Sequence, residues 1–170
     1  KHFFEPLEAG YYSVAQMVGK IVLFIPGAVG IVMFPKIVDS HARNEETLYI
    51  LKKCLGVVSI LCGLAVFCSF LFPALILKIL TGHSVPMAVS LIKFFSLSMG
   101  FFALVSILIL YHLSIHRTQY IYAVTLLALL QFIGIWFFHS SLSQVITILL
   151  VFSIILFVSG IFSALKRLQE

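Results

Sequence analysis

Long stretches of this chain carry no charge at all, and that limits what it can become more than any other feature. Cys54 to Leu77 contains no Lys, Arg, Asp or Glu; neither does 94–116, and 118–165 stays uncharged for long enough to cross a bilayer twice. One crossing takes about 20 apolar residues, because a helix rises about 1.5 Å per residue across a hydrocarbon core of about 30 Å. The runs are continuous rather than alternating, which favours helices over the strands of a barrel. Hydrophobic residues make up 62% of the 170, and charged residues 10%. A water-soluble chain is typically about 25% charged, and one of this size could not bury so much apolar surface in its own core. The fold class is therefore all-α: a polytopic membrane helical bundle of about five transmembrane helices.

The expected spans are 11–34, 54–77, 88–115, 120–138 and 145–165. Proline removes a backbone donor and crowds the preceding turn, so Pro26-Gly27 predicts a kink and a hinge in the first span. Pro35 to Lys53 reads as a polar connection whose second half, from Glu45, forms a short amphipathic helix on the membrane surface. Turn residues Gly82 and Pro86 mark the next loop. The link 116–119 is short enough to make spans three and four an antiparallel pair, and His139 to Gln144 turns the chain into the last span.

The net charge of +5 is a topology signal rather than a nucleic-acid signal, because the charges cluster at span ends. Lys36, Arg43, Lys52, Lys53, Arg117, Lys166 and Arg167 fall on one side, Lys1 and Lys78 on the other. The positive-inside rule then predicts that loops 35–53 and 116–119 and the C-terminus are cytoplasmic.

Two lysines stand apart from these clusters. Lys20 lies about nine residues, roughly 13 Å, inside its span. Ser13, Gln16, Lys20 and Gly27 recur at helical spacing and share a face. A charge at that depth costs about 2.5–3.5 kcal/mol on insertion scales and ordinarily faces a bundle interior or a watery cavity. That face reads as a cavity lining whose ammonium suits an anionic group such as a phosphate, with snorkelling or a simple hydrogen-bonded pair as the plainer accounts of Lys20. Lys93 is nearer the outer end of its span, with Ser96, Gly100 and Ala103 following; snorkelling to the headgroups is the simpler account of it, a place in the cavity the sharper one. Gly27, Gly30, Gly56, Gly63, Gly100, Gly134 and Gly160 are read first as close-packing positions. Tyr122 and Trp136 read as interface anchors.

Other chemistries find little support. Glu5, Glu8, Asp39, Glu45, Glu46 and Glu170 are the six carboxylates, all in expected loops or termini, so no acid pair sits within a span. No phosphate-binding glycine loop occurs. Cys54, Cys62 and Cys68 lack metal spacing and read as small apolar filler. His83, His116 and His139 read as loop or interface residues. No catalytic residues, metal or cofactor are expected, and the chain is not expected to be an enzyme. It also opens at Lys1 without a methionine, which predicts a fragment whose earlier helices are missing.

One stretch has a family likeness. Glu8-Ala9-Gly10-Tyr11-Tyr12-Ser13-Val14-Ala15-Gln16, then Gly19-Lys20-Ile21, Phe24-Ile25-Pro26-Gly27-Ala28 and Phe34-Pro35-Lys36, resembles the second helix of the C-terminal half of polysaccharide (O-antigen type) flippases. That family belongs to a superfamily with the multidrug and toxic compound extrusion exporters and the lipid II flippases. The resemblance covers about 3–36. It implies a transporter of twelve to fourteen helices in two lobes around a central cavity, of which this chain supplies part of the second. It implies alternating access in a prokaryotic plasma membrane, with a lipid-linked oligosaccharide on a polyprenyl pyrophosphate as substrate and the N-terminal lobe of the same chain as partner. Gln16, Lys20 and Lys93 are then the substrate-cavity candidates, Lys20 occupying the family's "GK" position, and Pro26 and Gly27 the hinge candidates. A multidrug or small-molecule exporter of the same superfamily and a membrane enzyme acting on lipid-linked sugars are the alternatives. A cationic cavity without an embedded acid disfavours export of cationic drugs, and no cluster of interfacial acids or histidines favours the enzyme.

Overall fold

The computed structural model describes residues 6–43, 45–81, 86–138 and 141–165. They form six helices: α1 Pro6–Ala42, α2 Leu48–Leu71, α3 Pro73–Thr81, α4 Pro86–Ser114, α5 Gln119–Phe137 and α6 Leu142–Leu165. No strand occurs among the described residues. Five of the six, all but α3, are long and apolar enough to cross a membrane. The chain is a helical bundle with the make-up of a multi-pass membrane protein.

Two boundaries differ from the sequence expectation. The polar connection 35–53 and its short surface helix do not exist as such. α1 instead runs unbroken through Pro26 and Pro35 to Ala42, and α2 starts at Leu48. The 37 residues of α1 would span about 55 Å, well beyond a hydrocarbon core of about 30 Å. Its polar end is thus helix projecting into water, where an exposed Asp39–Arg43 pair at 3.1 Å adds i,i+4 support of a few tenths of a kcal/mol. Loss of hydrophobicity marked the end of the apolar span, not the end of the helix. The second difference is at 54–77, expected as one span. It breaks at Phe72, whose φ of −124° and ψ of 46° leave the helical region, and Pro73 opens α3. The residue before a proline is pushed out of the α region, and proline is well placed at a helix start because its missing N–H needs no partner there.

α4 is the hub and packs against all the other helices. Phe95, Ala103, Ile107, Leu108 and Tyr111 are among its fully buried side chains. Its three buried serines carry no wasted polarity: the hydroxyls of Ser96, Ser98 and Ser114 donate to the carbonyls of Lys93, Phe94 and Leu110. That back-bonding is how a hydroxyl survives in an apolar helix. α4 ends at a tight reversal. His116 takes a left-handed φ of 54°, while the N–H of Arg117 donates to the His112 carbonyl at 2.9 Å and that of His116 to the Leu113 carbonyl. This is the six-to-one pattern that commonly closes a helix with glycine, here made by histidine. The spans expected as an antiparallel pair, α4 and α5, do touch, but the larger contact of α5 is with α6. Tyr122 and Trp136 stand exposed near opposite ends of α5.

Candidate functional site

α1 has two sharply different sides. Ala15, Val18, Gly19 and Val22 are buried against the bundle, whereas Ser13, Gln16, Lys20 and Gly27 are exposed. The contact behind Lys20 is intimate. A side chain at Gly19 would collide with the ring of Phe95 and with Met99, both on α4. Tyr12 adds an edge-to-face contact on Phe95, with centroids 5.6 Å apart. α1 is thereby fixed against α4, and its rotation presents Lys20 away from the packed interior. Exposed neighbours Met17, Ile21 and Phe24 flank the polar strip with apolar surface. The sequence-derived face is thus one continuous exposed face in three dimensions, while Pro26 is buried beside it.

Lys93 belongs to a different surface. It is half-buried on α4, and its ammonium stands 6.0 Å from the ring centroid of Phe70 on α2, a cation–π distance. Its carbonyl accepts the Ser96 hydroxyl. Lys20 and Lys93 therefore hold to separate helix surfaces, Lys93 facing an aromatic ring and Lys20 presented on the outer side of α1.

A polar cluster with no clear mark in the sequence lies where α4, α5 and α6 meet. His112 is fully buried. Its Nδ1 lies 2.7 Å from the Leu108 carbonyl oxygen and its Nε2 3.0 Å from the Ser163 hydroxyl on α6. The first distance makes Nδ1 the protonated nitrogen, so the Ser163 hydroxyl donates to Nε2 when the ring is neutral. The ring sits between Tyr111 and Tyr120, with centroids 5.5 and 4.4 Å away. Tyr120 donates to the Leu156 carbonyl of α6 at 3.0 Å, and Tyr111 shares a hydrogen bond with Thr47 at 3.2 Å. With every polar atom satisfied, the cluster ties helices together rather than offering a reactive group. A histidine inside a charge-free run was its one available sequence signal. His83 and His139 lie outside the described residues, as do Lys1, Lys166 and Arg167; His116 is the capping residue above.

The three cysteines are free thiols, and among the described residues no group of three or more His, Cys, Asp or Glu is placed to hold a metal. No protein-family model, curated protein sequence or solved structure matches this chain.

Proposed function

We propose that this chain is part of the second lobe of a flippase that moves a polyprenyl-pyrophosphate-linked oligosaccharide across a prokaryotic plasma membrane by alternating access. The observation that carries the reading is the exposed Lys20 on a polar strip of the apolar helix α1. The bundle leaves this strip uncovered, with Met17, Ile21 and Phe24 exposed beside it. An ammonium within an apolar helix is costly against lipid alone, so a second lobe completing a water-filled cavity is the arrangement that accommodates it. Ser13 and Gln16 would hydrate or hydrogen-bond a polar cargo, and Lys20 would meet the pyrophosphate. The likeness of 3–36 to the flippase motif supports the same reading. Lys93, under Phe70, would contribute as a secondary cation at the edge of the cavity, and the buried Pro26 beside exposed Gly27 would serve as the hinge. By the basic-residue count, the α1–α2 and α4–α5 connections and the C-terminus would be cytoplasmic.

The test uses the full-length gene in its host. Deletion is expected to trap lipid-linked oligosaccharide on the cytoplasmic leaflet and to deplete surface polysaccharide, and the wild-type gene is expected to restore both. Unaltered glycan traffic after deletion would refute the flippase reading and turn attention to export of small molecules.

A further inference from the structure

α1 and α2 do not close on each other along their whole length. A groove of about 510 Å³ opens between them on the side of the α1–α2 connection. Its floor is apolar, with Val29, Val32 and Met33 from α1 facing Cys54 and Val57 from α2, and Lys36 and Lys53 stand at its mouth. Lys53 is held 5.5 Å from the ring of Tyr49, which also lines the groove.

The level of the two lysines matters. Going along α1 from Ile21, Lys36 is the first charge met; going back along α2 from Leu71, Lys53 is the first. Both therefore mark the depth at which hydrocarbon gives way to headgroups, and they do so at one end of one groove. From Ala28 to Lys36 the floor runs about 12 Å along the helix axis, most of the depth of one leaflet. A slot with this profile, greasy for one leaflet and doubly cationic with an aromatic hydroxyl at the phosphate plane, matches the shape and charge of an anionic phospholipid. Among the described residues, no carboxylate lines it. Asp39, the nearest acid along α1, is already paired with Arg43.

We propose that the α1–α2 groove is a binding site for an anionic phospholipid of the surrounding bilayer, its phosphate between Lys36 and Lys53 and one acyl chain along Val29, Val32 and Val57. The site is separate from the polar strip of Lys20 and does not depend on the flippase reading. Each lysine at an anionic lipid surface is worth about 1 kcal/mol, about fivefold in affinity, so two give a preference on the order of 30-fold over a zwitterionic lipid.

The single tryptophan of the sequence, Trp136, allows a direct test. The full-length protein carrying Trp136→Phe, with any tryptophan outside this sequence likewise replaced, and Val32→Trp is placed in phosphatidylcholine nanodiscs. Val32 is 69% exposed, so the indole is tolerated at the groove wall. Increasing fractions of phosphatidylglycerol or phosphatidylcholine brominated on the acyl chains are then added. Quenching by brominated phosphatidylglycerol is expected to reach half-maximum at a mole fraction tenfold or more below that of brominated phosphatidylcholine. Lys36→Gln with Lys53→Gln should bring the two curves together, while Lys78→Gln should leave them apart. Coincident curves in the protein with both lysines intact would overturn the proposal, whatever the double variant does. So would absence of quenching by either lipid, which would mean that protein covers the groove.

Discussion

Gly160→Val is expected to be among the most damaging single substitutions in the bundle. A Cβ at Gly160 would lie 2.5 Å from the Tyr120 hydroxyl and 2.8 Å from Leu108 Cδ1, inside van der Waals contact with two helices at once. Tyr120 cannot simply swing aside, because its hydroxyl is committed to the Leu156 carbonyl and its ring to His112. Accommodating the branched side chain means pushing α6 away from α4 and α5 and loosening the His112–Ser163 bond. Overpacking of this kind costs about 1–3 kcal/mol, and loss of a buried hydrogen bond adds about 1 more. Thermal unfolding of the purified full-length protein in detergent should show a fall of many degrees in Tm. The contrasting substitution is Gly56→Ala, where a Cβ meets no atom within 4 Å. It is expected to leave Tm unchanged or raise it, since alanine outranks glycine in a helix by up to about 1 kcal/mol. Equal losses at the two positions would contradict the packing account.

Lys20→Ala is expected to produce the largest loss of function with almost no loss of stability. The side chain is exposed and the helix is anchored by Gly19, Val18 and Val22 on the opposite side, so the fold has little stake in it. Exposed substitutions away from packing features fall within about 0.5 kcal/mol. A charge-assisted hydrogen bond to a pyrophosphate oxygen is worth about 1.5–3 kcal/mol, which translates to a transport loss on the order of 10-fold to 100-fold. Complementing the deletion host with Lys20→Ala should leave lipid-linked oligosaccharide on the inner leaflet at normal protein abundance. Lys20→Arg keeps the charge and should retain a substantial share of activity. Full activity in Lys20→Ala would remove the lysine from the transport path.

Much of the bundle was legible because lipid imposes a simple rule: a crossing must be long, apolar and helical. Charge-free runs therefore located every long helix to within a few residues at most ends. The failures have physical reasons. Hydropathy reports where a helix leaves hydrocarbon, so it missed the further turns of α1 from Lys36 to Ala42 and the true start of α2. Pro26 and Pro35 were tolerated within α1 while Pro73 coincides with a break, and the local sequence does not separate these cases. The small-residue reading divides the same way. Gly30, Gly100 and Gly160 sit against Leu110, Val66 and Tyr120, whereas Gly27, Gly56 and Gly63 face open space. A glycine's identity alone does not tell which side of a helix meets a neighbour.

The face of α1 was readable from spacing, since Ser13, Gln16, Lys20 and Gly27 keep helical register and all four emerge exposed. What spacing could not give was the separation of Lys93 from that face, which depends on how α4 rotates toward Phe70. Nor could it foresee the His112 cluster, because the partners Thr47, Tyr120 and Ser163 are far apart in the chain and meet only through tertiary packing.

The central claim is that Lys20 faces water rather than lipid. The direct measurement is thiol labelling of the full-length protein in native membranes. Cys54, Cys62, Cys68 and any cysteine outside this sequence are replaced by alanine, and a single cysteine is introduced at Lys20 or at Leu129, an exposed position midway along α5. A water-soluble maleimide should modify Lys20→Cys readily and leave Leu129→Cys unlabelled until detergent is added. Protection of both positions alike would place Lys20 against lipid and contradict the cavity on which the functional reading rests.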